Sequence, residues 1–320
     1  MPISPAGAAR LKRAVALGKA KVAAFTFLGW GRASDAISGQ DLKELLFALA
    51  EREDGFKVAA DILSMRLHSD NDQKIEHAGE LIDTGRLLLA RPSLTDRDHN
   101  LDFHLRKVVK ACLTGPDGVD AARALCEYMK KGFSDYSLSA YSWGQLLQGL
   151  FKTQPRVALE VFLSSTPQPD GSTLDIDDFN DPSDRRKNPL DEIPTDELLR
   201  WCEEEPARRY PAAARAISYF KSEKDAPLEW TPLAKEMLKR APDRVGILTI
   251  FVERFSPSSW SGSRAAIVES RLILLEQLGD LSDASVSDFA RQQLPVLSEQ
   301  VAREREWENK RDSDRDERFE

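Results

Sequence analysis

Apolar residues recur every three or four positions along most of the chain, the pattern of helices that bury one face. Between 41 and 52, Leu42, Leu45, Leu46 and Leu49 share one side, and Ser38 with Asp41 three residues later reads as a capping box. The same periodicity predicts helices over 55–68, 72–90, 95–113 and 119–133, with Thr95 and Asp98 at capping spacing opening the third of these. Further helices are predicted over 139–153, 155–165, 195–205, 207–221, 231–240, 244–255, 263–278 and 282 to about 311. No pair of β-strands is expected. The first helix is read as one Ala-rich run from 8 to 30, with Leu11, Val15, Leu17, Val22, Phe25 and Leu28 at its apolar positions.

Four prolines mark an internal repeat. Pro116, Pro155, Pro206 and Pro242 each follow a predicted helix. The residues eight, five and four places before them are Val108, Ala111 and Cys112; Leu147, Leu150 and Phe151; Leu198, Trp201 and Cys202; Ala234, Met237 and Leu238. These offsets put all twelve apolar residues on one helix face, and proline stops one helix while fitting the first turn of the next. The unit is therefore a helical hairpin. The prolines are 39, 51 and 36 residues apart, a period near that of HEAT-like and armadillo-like arrays. The predicted fold is all-α, a HEAT-like α-solenoid, with an irregular α-helical bundle as the alternative. The longest interval contains 167–194, whose five prolines and seven aspartates predict an exposed loop or insertion. It separates helical halves at 1–166 and 195–311, followed by a charged tail at 312–320.

Composition narrows the function. The 320 residues are 41% hydrophobic and 31% charged, with a formal net charge of −8, and the sequence pI near 5.3 disfavours a chain built mainly to neutralise phosphates. Residues 1–34 depart from this balance: Arg10, Lys12, Arg13, Lys19, Lys21 and Arg32 stand there without a single acid. A basic helix of this kind suits an anionic membrane surface, nucleic acid or the next helix, of which packing on the next helix is the favoured expectation. Its basic residues run on through Lys21 and do not simply precede an apolar core, which fits a secretory signal poorly. The longest apolar stretch, 22–30, is far short of a membrane span, so a cytoplasmic chain is expected.

Catalytic and metal motifs are missing from the sequence. Cys112, Cys126 and Cys202 form no CxxC pair and lie in apolar contexts. His68, His77, His99 and His104 form no HExxH, and the Gly18-Lys19 pair has Arg13 where a phosphate loop requires its first glycine. Asp175, Asp177, Asp178, Asp181 and Asp184 place Asn180 and Arg186 where an EF-hand needs glycine and glutamate. No enzyme activity, cofactor or metal is therefore expected, and the glutamates 203–205 read as a solvated helix end. One loop stands out: FSPSSWSGSR at 255–264 displays Trp260, while Ser261, Gly262 and Ser263 offer backbone donors at a helix start, a geometry suited to an anion or carboxylate. The plainer reading is a helix cap with Trp260 filling a gap between hairpins. Candidate partner-binding residues are Arg10, Lys12, Arg13, Lys19, Lys21, Trp260, Ser261, Ser263 and Arg264.

DGFKVAADILSMRLHSD at 54–70, GRLLLA at 85–90, FSPSSWSGSRAAIVESRLILLEQL at 255–278 and the terminal REREWENKRDSDRDERFE together resemble the C-terminal helical-repeat region of large bacterial multidomain proteins associated with anti-phage defence. There such a region follows an NTPase or effector module, which this chain lacks. The resemblance implies a scaffold or sensor that works through a protein partner, and it brings no catalytic residues with it. A nucleic-acid sensor using the basic N-terminus is the second expectation, and an enzyme with an unrecognised site the third.

Overall fold

The computed structural model describes residues 4–18, 20–30, 37, 39–67, 78–95, 98–163, 188–222, 226–257, 260–278 and 283–316. Its elements are helical apart from one two-residue hairpin, and they form two compact units, Met1–Leu174 and Asp175–Glu320.

The first unit begins with α1 (Pro5–Ala16), where Ser4 caps the helix by accepting from the Gly7 amide and Pro5 takes the first helical position. The helix expected over 8–30 breaks after Ala16. Gly18 adopts φ +65°, a left-handed conformation that glycine enters without steric cost, and the chain resumes as a 3-10 helix, Val22–Gly29. Then follow α2 (Gly39–Ala50), α3 (Gly55–Leu67), α4 (Ala78–Leu89), α5 (His99–Cys112), α6 (Val119–Ser134), α7 (Gly144–Thr153) and α8 (Pro155–Leu163). Helix α1 packs on α2, as favoured from the sequence, and the 3-10 helix packs on α3. From α2 to α6 every helix also packs on the one two places later. These contacts link α2, α4, α6 and α8 in one series and α3, α5 and α7 in another.

The second unit contains α9 (Thr195–Glu204), α10 (Pro206–Ala216), β1 (Phe220–Lys221), β2 (Glu229–Trp230), α11 (Pro232–Arg240), α12 (Arg244–Glu253), α13 (Arg264–Glu276) and α14 (Ala284–Asp316). One series of this kind is present here, since α10 packs on α12 and α12 on α14. The hairpin was not expected. It forms because Tyr219 and Trp230 turn into an aromatic cluster: Tyr219 stacks on Phe251 at 5.7 Å and Phe255 at 6.0 Å, and Trp230 Nε1 donates to the Leu274 carbonyl at 2.7 Å. Antiparallel pairing of Phe220 with Trp230 and Lys221 with Glu229 fixes the register.

Several helix starts move, each for a local reason. Helix α5 begins at His99 and not at 95. Asp98 alone caps it, accepting from the Leu101 amide at 3.0 Å while ion-paired to Lys57, and Tyr128 Oη takes the Leu94 amide and holds the preceding chain extended. Helix α7 begins at Gly144 and not at 139, because the buried Asp102 carboxylate accepts from the Gln145 and Leu146 amides. Helix α10 stops at Ala216 and not at 221, where Asn188 Nδ2 donates to the Ala216 carbonyl at 2.7 Å. The C-terminal helix runs past 311 to Asp316, so most of the segment read as a charged tail is helical. Ser38, residues 72–77 and the 167–187 part of the acidic loop lie outside the described residues. The rest of that loop includes a short 3-10 turn, Pro189–Glu192.

The proline-anchored face is the core. Eleven of its twelve residues are buried, and Ala111 alone is intermediate. Phe151→Ala is expected to cost about 3–5 kcal/mol, the loss of a fully buried ring plus its cavity. Ala111→Ser should stay within about 0.5 kcal/mol, as a change at the margin of the core; urea unfolding of the two variants measures the contrast.

Candidate functional site

The loop at Trp260 has the anion-receiving geometry expected of it, and the anion is the protein's own. Ser263 caps α13 by accepting from the Ala266 amide at 3.0 Å and donates its hydroxyl to Glu308 Oε2 at 2.6 Å. Glu308, on α14, accepts on its other oxygen from the backbone amides of Arg264 at 2.7 Å and Ala265 at 3.2 Å. The backbone donors are thus Arg264 and Ala265 and not the expected Ser261, Gly262 and Ser263: the first two of these remain exposed, and Ser263 contributes its hydroxyl. Two ion pairs flank this contact, Arg264 with Glu304 at 3.8 Å and Arg305 with Glu269. A carboxylate at a helix N-terminus meets both unsatisfied amides and the positive end of the helix dipole. Trp260 does not fill a gap: it is 43% exposed, with the Arg264 guanidinium 5.0 Å from its ring centre.

The basic N-terminus separates into two groups. Lys12 is taken up internally, its ammonium 2.7 Å from Asp41 and 2.5 Å from Glu44 on α2, and these partners raise its pKa, the Asp41 hydrogen bond most. It is therefore a helix-docking residue. Arg10, Arg13 and Lys21 are exposed, and Lys19 lies outside the described residues.

One constellation escaped the sequence. His104 of α5 lies between two residues of α3, its Nδ1 3.2 Å from Ser64 Oγ and its Nε2 3.2 Å from Asp61 Oδ1. These residue types are those of a nucleophile, a base and an orienting acid. Ser64 is 1% exposed, however, so its hydroxyl is closed to a substrate carbonyl and the trio works as a polar clamp between two helices. The available signal was the i, i+3 pair Asp61 and Ser64 among the apolar residues of α3; His104 could be joined to it only through the fold.

The thiols are equally enclosed. Burial pushes Cys112 and Cys202 up to about 12 and Cys126 upward as well. Among the described residues there is no group of three or more His, Cys, Asp or Glu side chains able to hold a metal ion, and no helix is long and apolar enough to cross a membrane. His68, His77 and the aspartates at 175–184 lie outside the described residues.

Two outcomes follow from this geometry. The three cysteines should resist a water-soluble thiol reagent in the folded protein and react fully in denaturant, as read by mass spectrometry. Glu308 is held below the ordinary glutamate value of 4.5, chiefly by the Ser263 hydroxyl and then by the two amides. Its contribution is therefore complete above that value and fades as pH falls through the depressed pKa. Glu308→Ala should lower stability by about 1 kcal/mol, the loss of a helix cap, and the difference from wild type should shrink on acidification in thermal melts. Comparison with protein-family models, with curated proteins and with solved structures yields no match to this chain.

Proposed function

We propose that the chain is a non-catalytic scaffold or sensor module that binds a protein partner across a HEAT-like α-solenoid. The observation carrying this reading is the packing of each helix on the one two places along, repeated from α2 to α8 and again through α10, α12 and α14. In such an array each hairpin buries its core only against neighbours and leaves its outer helix faces to a ligand. The polar groups that sequence and geometry bring together are used inside the stack: Glu308 caps α13, Lys12 docks α1, and His104 joins α3 to α5. Recognition by surface contact fits this arrangement better than chemistry at a centre does. Trp260 with Arg264 supplies the aromatic and cationic groups that dominate protein interfaces. The resemblance to helical-repeat regions of anti-phage proteins extends the proposal to a sensing role in a bacterial, cytoplasmic defence system.

A second reading, binding of nucleic acid, is favoured by the exposed Arg10 and Arg13 on the acid-free N-terminus. Affinity purification with in-cell cross-linking separates the two. The protein-partner reading predicts one cross-linked partner whose retention falls several-fold with Trp260→Ala and is untouched by nuclease. Retention that is lost to nuclease and falls steeply with salt would replace it with the second.

A further inference from the structure

We propose that the first 3-10 helix and the end of α1 form a docking face for an anionic lipid bilayer surface. In a 3-10 helix residues three apart lie directly above one another. Along Val22–Gly29 and its flanks this aligns Lys21, Ala24, Phe27 and Trp30, all four exposed, opposite the buried Phe25 and Leu28. Phe27 is 46% and Trp30 66% exposed, and Leu17, just before the Gly18 turn, is 55% exposed. On α1, Arg10, Arg13 and Leu17 follow at spacings of three and four and so share a face, also exposed. The segment thus interleaves cations with projecting apolar groups, and residues 1–34 contain no acid to oppose them.

The face is held rigid from beneath. Arg66, buried on α3, donates to the carbonyls of Leu28 at 2.8 Å and Ile37 at 2.7 Å, and Arg52 Nη2 reaches the Gly18 carbonyl at 3.3 Å. Exposed apolar side chains are therefore displayed by a fixed backbone, so ordering costs little when they are buried elsewhere. Charge selects the occupant. Cations beside projecting tryptophan, phenylalanine and leucine are the combination that seats a protein in the headgroup layer of an anionic membrane, where the rings lie at the interface and the cations meet phosphates. A nucleic acid would use the cations and the two rings by stacking, but Leu17 and the exposed Ala24 have no role there, whereas acyl chains bury them. Asp41 and Glu44 on α2, against which α1 packs, are both engaged by Lys12.

Co-sedimentation of the full chain with phosphatidylcholine vesicles, with and without phosphatidylglycerol, tests this directly. Binding is expected to the phosphatidylglycerol vesicles and to weaken with salt. Phe27→Ala with Trp30→Ala should reduce it, and Arg13→Glu with Lys21→Glu should reduce it at least about fivefold. All four positions are exposed, so thermal melts of the variants should match wild type and separate lost docking from lost folding. Equal sedimentation with and without the anionic lipid, no sedimentation with either, or an aromatic double variant that binds as wild type would each overturn the proposal. So would a single-stranded oligonucleotide that binds through Phe27 and Trp30 while vesicles do not.

Discussion

Every helix ends with peptide groups that its own turns leave unsatisfied, and a stack of short helices multiplies those ends. In this protein side chains from elsewhere in the same unit meet many of them. Gln154 Nε2 donates to the carbonyls of Leu113 and Gly115, Arg254 to that of Ala214, and Arg66 to that of Leu28. At the opposite ends, Asp102 accepts from the first amides of α7 and Glu308 from those of α13. The partners are 38 to 44 residues apart in these contacts, while others of the same kind span 26 to 31, as from Arg86 to Cys112, Asn188 to Ala216, Arg66 to Ile37 and Lys130 to Val161. One helix thus completes the hydrogen bonding of another.

Among the described residues, that arrangement takes up the reactive residue types within the packing. A carboxylate beside two amides and a hydroxyl, a histidine between an acid and a serine, and thiols near arginines would each attract interest in isolation. Here each is closed by packing: Glu308 by the amides it serves, Ser64 by burial, and the cysteines by apolar neighbours that hold them protonated. Asp102 shows the cost, since burial pushes its carboxyl upward even though two amides favour its charged form. What remains open to other molecules is the surface, where Trp260 and Trp30 are among the largest exposed apolar groups.

The all-α class was legible because burial imposes a period on apolar residues, and the offsets before four prolines picked out residues of which eleven in twelve are buried. Helix starts were less legible. A capping pattern pointed to Thr95 and periodicity to residue 139, while α5 is capped by Asp98 itself and the start of α7 is met by Asp102, which arrives from another helix. The β-hairpin was hidden for the same reason, because its two short strands have no pattern of their own and exist through the cluster around Tyr219. At the Trp260 loop the sequence correctly indicated a helix start suited to a carboxylate; that the carboxylate is Glu308, 44 residues along, follows only from the packing of α14 on α13.

Two segments of the chain turn different faces to solvent, and the contrast is physical. A helix face left to water is normally polar. The distal part of α14 follows that rule: after Val301 its buried side chain is the capping Glu308, and charged residues dominate the remainder. The 3-10 helix does not. It buries Phe25 and Leu28 yet leaves Phe27 46% and Trp30 66% exposed. A face left to water alone would gain solubility from a polar stripe. Keeping an apolar one, on a backbone pinned by Arg66 and beside the exposed Arg10, Arg13 and Lys21, is physically sensible where another apolar, anionic surface covers it.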